Sequence, residues 1–89
     1  MPRLSEFFGI VISIYWGDTG PHNAPHFHAR YGDFEAVFSI PGADVLAGHL
    51  PRRQRRFVEA WAEMHADELE RAWAAVIQGE MPEKIPPLR

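Results

Sequence analysis

The period of the apolar residues changes once along this chain, and that change constrains the fold more than any other feature. Through Ile40 apolar residues recur at every second position; from Pro51 they recur at every third or fourth. Period 2 puts alternate side chains on opposite faces of a strand, and period 3.6 puts them along one stripe of a helix. A chain whose patterning switches in this way builds a sheet first and then covers it. Phe8, Ile10, Ile12, Ile14 and Trp16 alternate with Gly9, Val11, Ser13 and Tyr15, which predicts a first strand. Gly17 to Pro25 is a loop by its glycine, proline and polar content. His26–Tyr31 and Phe34–Ile40 read as the second and third strands, joined at Gly32-Asp33, where glycine supplies a positive φ at low cost. Pro41-Gly42 ends the third strand, and Val45–Leu46 is a candidate short fourth.

Beyond Pro51 the stripe is Val58, Ala62, His65, Leu69, Ala72 and Val76, flanked by Phe57, Trp61, Met64 and Trp73. Pro51 suits the first helical position and Gly79 the residue just past the end. The pattern predicts a helix of about 27 residues, long enough that a kink or an earlier end is expected. Pro82, Pro86 and Pro87 make the tail extended. The expected class is α+β: an antiparallel three- or four-stranded sheet with one long C-terminal helix packed on one face. The expected order is β-β-β-(β)-α in a single domain over residues 1–89, a length that holds one modest core. Ile10, Ile12, Ile14, Phe27, Phe38, Trp61 and Leu69 are its expected interior.

Alternation also sorts the chemistry. With a two-residue turn at Gly32-Asp33, Tyr31 pairs with Phe34, Arg30 with Glu35, His28 with Val37 and His26 with Ser39. Paired residues share a face. One face of the hairpin is then apolar, with Phe27, Phe34 and Phe38 under the helix. The other carries His26, His28, Arg30, Glu35 and Ser39. So polar a sheet face is either wet or a site.

Cysteine is absent, so a disulfide scaffold, a thiol nucleophile and a thiolate metal site are all excluded. Any metal must be held by His, Asp or Glu. Three of the five histidines lie between positions 22 and 28. His26-x-His28 on a strand sets two imidazoles on one face, about 7 Å apart at the backbone. That spacing suits two ligands of Zn²⁺ or another divalent transition metal. His22, on the proline-bounded loop, is the candidate third ligand, and Glu35 or Asp18 a fourth ligand or an orienting acceptor. An open position on such a metal would lower the pKa of its bound water to about 7. Without metal, one neutral histidine acts as base and one protonated histidine as acid, while Arg30 stabilises a developing negative charge. Such a set, His26, His28, Arg30 and Glu35, can cleave RNA. A third reading leaves these histidines as surface or structural hydrogen-bonding residues. His65, in the apolar stripe, reads as a core residue, and His49 as a loop residue.

Arg52, Arg53, Arg55 and Arg56 open the helix of a chain whose formal net charge is -3. A helix N-terminus already carries partial positive charge, so this placement is locally unfavourable. RNA, DNA phosphate or an acidic partner segment would compensate it. A solvated end balanced by Glu59, Glu63, Glu68 and Glu70 would do so as well. The Arg run has no aromatic residue interleaved in it, which weakens the nucleic-acid reading.

No apolar run is long enough to span a membrane. Phe7–Trp16 begins after Glu6, lacks a small-residue cleavage site and is rich in β-branched residues, so it reads as a strand and the expected location is the cytoplasm.

Four segments together resemble a known family: Met1 to Ile10, Pro25-His26-Phe27-His28-Ala29, Gly32-Asp33-Phe34-Glu35-Ala36 and Trp61-Ala62-Glu63-Met64-His65. They are similar to the small prokaryotic family called domain of unknown function 4160, over nearly the whole chain. Ala24 stands where members commonly carry a proline. The resemblance implies a toxin-like component of a toxin–antitoxin pair, with a cognate antitoxin or neighbouring-gene protein as partner. It assigns no catalytic residue. Two function classes follow: a small His-dependent ribonuclease, and a non-enzymatic module that binds a partner, a metal or a second copy of itself.

Overall fold

The computed structural model describes residues 2–15 and 24–89. Among these, β1 (Arg3–Phe7), β2 (Ile10–Ser13), β3 (His26–Tyr31), β4 (Phe34–Ser39) and β5 (Val45–His49) form one antiparallel meander in chain order. Two helices follow, α1 (Arg52–Met64) and α2 (Ala66–Ile77). The α+β class stands, but the sheet has five strands and the helix is divided.

The extra strand comes from a turn that the alternation hides. Phe8 and Gly9 both have positive φ, 50° and 78°, and between them the chain reverses. Phe7 then pairs with Ile10, and Arg3 with Ser13 across a bulge. The strand predicted to start at Phe8 therefore starts at Ile10, and the residues before Phe8 pair back onto it. The short candidate strand at Val45–Leu46 extends to His49, so His49 is a strand residue and not a loop residue.

The helical run breaks at His65, whose backbone (φ -122°, ψ 30°) lies outside helical values. α2 restarts at Ala66 with Asp67 and Glu68 in its first turn, where acidic side chains offset the helix dipole. The Glu68 carboxylate accepts from His65 Nδ1 across the break.

The expected interior is buried throughout: Ile10, Ile12, Ile14, Phe27, Phe38 and Trp61 are inaccessible and Leu69 nearly so. Phe27 and Phe38 stack at 5.3 Å, and Trp61 of α1 meets Phe27 edge-on at 5.9 Å. The helices thus cover the Phe27/Phe38 face, as the patterning predicts. Phe34 departs from that expectation: it lies at the hairpin tip, 42% exposed, with its ring against His49.

The proline-rich tail does more than extend. Ile85 is buried, and its N–H donates to the Leu4 carbonyl at 2.8 Å, so the tail lies along the β1 edge. Pro86 offers its carbonyl to the indole N–H of Trp61 at 2.8 Å. A buried indole needs such a partner, and an edge strand needs such a cover.

Candidate functional site

The register of β3 on β4 is the one read from the turn: His26 faces Ser39, His28 faces Val37, Arg30 faces Glu35 and Tyr31 faces Phe34. On its other side β3 meets β2, with Val11 opposite Arg30 and Ser13 opposite His28. Since opposite residues share a face, Val11, Ser13, His28, Arg30 and Glu35 gather on the face turned away from the helices. With Arg3 and Tyr15 they line a small pocket of about 60 Å³.

His28 is the centre of this group. Its side chain is 15% exposed on the middle strand of the five. Nδ1 lies 3.3 Å from Glu35 Oε2. The Tyr15 ring meets the imidazole edge-on at 4.2 Å, and the His26 ring lies 5.4 Å away. A carboxylate only accepts, so the Glu35 contact puts the Nδ1 proton on His28 and a lone pair on Nε2 in the neutral ring. His26 is fixed in the same way, because its Nδ1 lies 2.7 Å from the Ala24 carbonyl. Of two imidazoles side by side, a neutral one can take up a proton and a protonated one can deliver it. Arg30 brings positive charge to the same pocket, and Arg3, ion-paired with Glu6 at 3.1 Å, lines it as well.

The structure brings together four predicted residues, His26, His28, Arg30 and Glu35. Their detail differs from the strand ladder alone. Glu35 reaches diagonally to His28, although its backbone partner is Arg30. Ser39 turns to its own loop, where its hydroxyl donates to the Pro41 carbonyl and accepts from Asp44 N–H. His22, the third ligand of the expected metal set, and Asp18 lie outside the described residues. Among the described residues, no group of three or more His, Asp or Glu is placed to hold a metal ion. His65 sits apart, against Trp61 and Glu68.

Several neighbours of the site carry no mark in the sequence pattern. Tyr15, Ser13 and Arg3 belong to the first hairpin, whose polar face follows from alternation only once β2 is known to lie beside β3. Trp73 comes from α2, a helix expected to stay on the apolar face, yet its ring lies 5.1 Å from His26. The Arg run opens α1 with no acidic residue in the first turn. All four arginines are exposed. Arg55 lies 3.9 Å from Glu59, and the Arg53 guanidinium sits over the Phe57 ring.

A family model described as Domain of unknown function (DUF4160) matches residues 9–74. The chain belongs to this family. The match takes in β2 to β5, α1 and most of α2, and with them His22, His26, His28, Arg30, Glu35 and the four arginines. Arg3 and the tail that covers β1 fall outside the part that DUF4160 defines. No curated protein and no solved structure matches the chain. No helix among the described residues is long and apolar enough to cross a membrane.

Proposed function

We propose that this protein is a toxin-like ribonuclease of a prokaryotic toxin–antitoxin pair, cleaving RNA by proton transfer at the His28 pocket. The observation that carries this reading is the His28–Glu35 contact in a pocket flanked by Arg3 and Arg30. Nε2 of His28 takes the proton from a ribose 2′-OH, and the oxygen attacks the adjacent phosphorus. The bond from phosphorus to the 5′-oxygen breaks, and protonated His26 delivers a proton to that oxygen. The products are a 2′,3′-cyclic phosphate and a 5′-hydroxyl. Glu35 orients His28 and stabilises the imidazolium; the arginines hold the phosphoryl oxygens.

A metal-assisted form of the same chemistry uses His22, His26 and His28 as ligands of Zn²⁺ or a similar ion, with Glu35 as base. Elemental analysis and cleavage assays of the purified protein, with and without chelator, separate the two. Cleavage that persists in chelator and disappears in His28→Ala supports the acid–base form. Cleavage lost in chelator and restored by one metal supports the metal form. RNA left intact under all these conditions removes the ribonuclease reading. The toxin role is tested by expression in a bacterial host, where growth should stop and the co-expressed neighbouring-gene protein should relieve it.

The interaction-module reading is favoured by one separate observation. β5 is the terminal strand, all five of its residues are exposed, and Val45 and Leu46 are among the large apolar side chains at the surface. An edge of this kind pairs readily with a strand from a partner or a second copy. A complex with the neighbouring-gene protein that forms without any RNA cleavage would favour this role.

A further inference from the structure

We infer that Phe8, Phe57 and the arginines at the start of α1 form a binding surface for single-stranded nucleic acid. It stands apart from the ribonuclease reading, because it uses none of the residues of the His28 pocket.

The starting observation is a misplaced residue. The turn between β1 and β2 has positive φ at both positions, a geometry that favours Asn, Asp and Gly. Its first position holds Phe8 at φ 50°. A bulky side chain with positive φ is a genuine outlier. Burial does not explain it, because Phe8 remains 55% exposed. Its ring instead rests 5.0 Å from the Phe57 ring, and the Arg53 guanidinium lies 5.6 Å over the other aromatic of that pair. Strain of this kind gathers where a surface has a task.

The tertiary structure thus supplies the aromatic interleaving that the Arg run lacks in sequence. Arg53, Arg56 and Phe57 are three and four residues apart on α1, so they share one helix face. Phe8 arrives from the sheet to widen the aromatic part. α1 has no acidic residue in its first turn, so its positive end and the arginines favour an anion together. The exposed Phe8 ring, backed by the partly buried Phe57 and set beside guanidinium groups, offers what a base and the phosphates of a single strand require. A duplex hides its base faces and an acidic peptide has none to stack, so both fit the charge but not the phenylalanine.

The test is fluorescence anisotropy with labelled oligodeoxythymidine and oligouridine, and with a duplex of the same length. Oligodeoxythymidine has no 2′-OH and survives the proposed cleavage, so it reads binding alone. Both single strands should bind better than the duplex, with affinity falling as salt rises. Phe8→Asn suits the turn, so thermal stability should hold or rise while single-strand affinity falls about 5- to 100-fold, the range for loss of one stacking platform. Arg53→Glu with Arg56→Glu should weaken binding further and flatten the salt dependence. His28→Ala should leave binding of oligodeoxythymidine unchanged. Equal affinity of Phe8→Asn and parent, or equal affinity for duplex and single strand, would overturn the inference. So would displacement of the oligonucleotide by polyglutamate at equal charge, which would make the surface a site for an acidic protein.

Discussion

His28 and Glu35 meet at 3.3 Å although neither is the other's partner in the strand ladder, where His28 faces Val37 and Glu35 faces Arg30. The contact runs diagonally across β3 and β4. Diagonal neighbours lie within reach of long side chains on a sheet face. It leaves the guanidinium of Arg30 beside the same pocket, available to an anion there.

Loss of His28 removes the proposed base. His28→Ala should reduce RNA cleavage by about 10²- to 10⁴-fold, the usual contribution of a positioned acid or base. Glu35→Gln should cost less, since an amide still accepts a hydrogen bond from Nδ1 but carries no charge to stabilise the imidazolium. Single-turnover rates on a defined oligoribonucleotide measure both, and parental rates in His28→Ala would take the base away from this residue.

Phe38 is inaccessible and stacks on Phe27 beneath Trp61. Phe38→Ala should destabilise the fold by about 3–5 kcal/mol, from lost transfer energy and the cavity left behind. Urea denaturation measures this. A midpoint equal to the parent's would mean that the Phe27/Phe38 layer does not carry the core.

Two glycines with positive φ should respond differently to alanine. A Cβ at Gly48 would lie 2.2 Å from the Glu35 carbonyl oxygen, whereas one at Gly32 meets nothing within 4 Å. Gly32→Ala should therefore cost only the left-handed backbone penalty, about 1–2 kcal/mol. Gly48→Ala should add an overpacking cost of about 1–3 kcal/mol, because backbone must move, and it should loosen β5 from β4. Hydrogen exchange at β5 amides distinguishes the two, and equal protection in both variants would contradict the close approach.

The tail should behave as part of the core. Ile85→Ala removes a buried side chain and should destabilise by about 2–5 kcal/mol. Removing residues 85–89 should also take away the Pro86 acceptor of the Trp61 indole and uncover the Leu4 carbonyl. A lower melting temperature with red-shifted tryptophan emission is expected; an unchanged melt would make the tail an ornament.

Much of the site was legible before any coordinates. Two strands separated by two turn residues admit one register that keeps Phe27 and Phe38 together, since a one-residue slip would turn His26 and His28 into the core. Alternation alone places His26, His28, Arg30 and Glu35 on one face, but it does not foresee Trp73 of α2 beside His26. Period also places Ile10, Ile12, Ile14, Phe27, Phe38, Trp61 and Leu69 inside, though not Leu4 and Phe7 of β1.

Tertiary structure alone decided the rest. No local pattern marks Phe8-Gly9 as a turn, because a phenylalanine with positive φ is unfavourable by itself and is held by its packing on Phe57, almost fifty residues away in sequence. Alternation orders the faces of each strand but does not say which strands are neighbours, so Arg3, Ser13 and Tyr15 reach the His28 pocket only through the pairing of β1, β2 and β3. The helix stripe runs through His65 without interruption; the break there comes with a contact between His65 and Glu68 that periodicity does not encode. The tail reads as extended from its prolines, yet its place along β1 depends on the Leu4 carbonyl and the Trp61 indole finding partners in it. Local sequence set which way each side chain points; long-range packing set what each one meets.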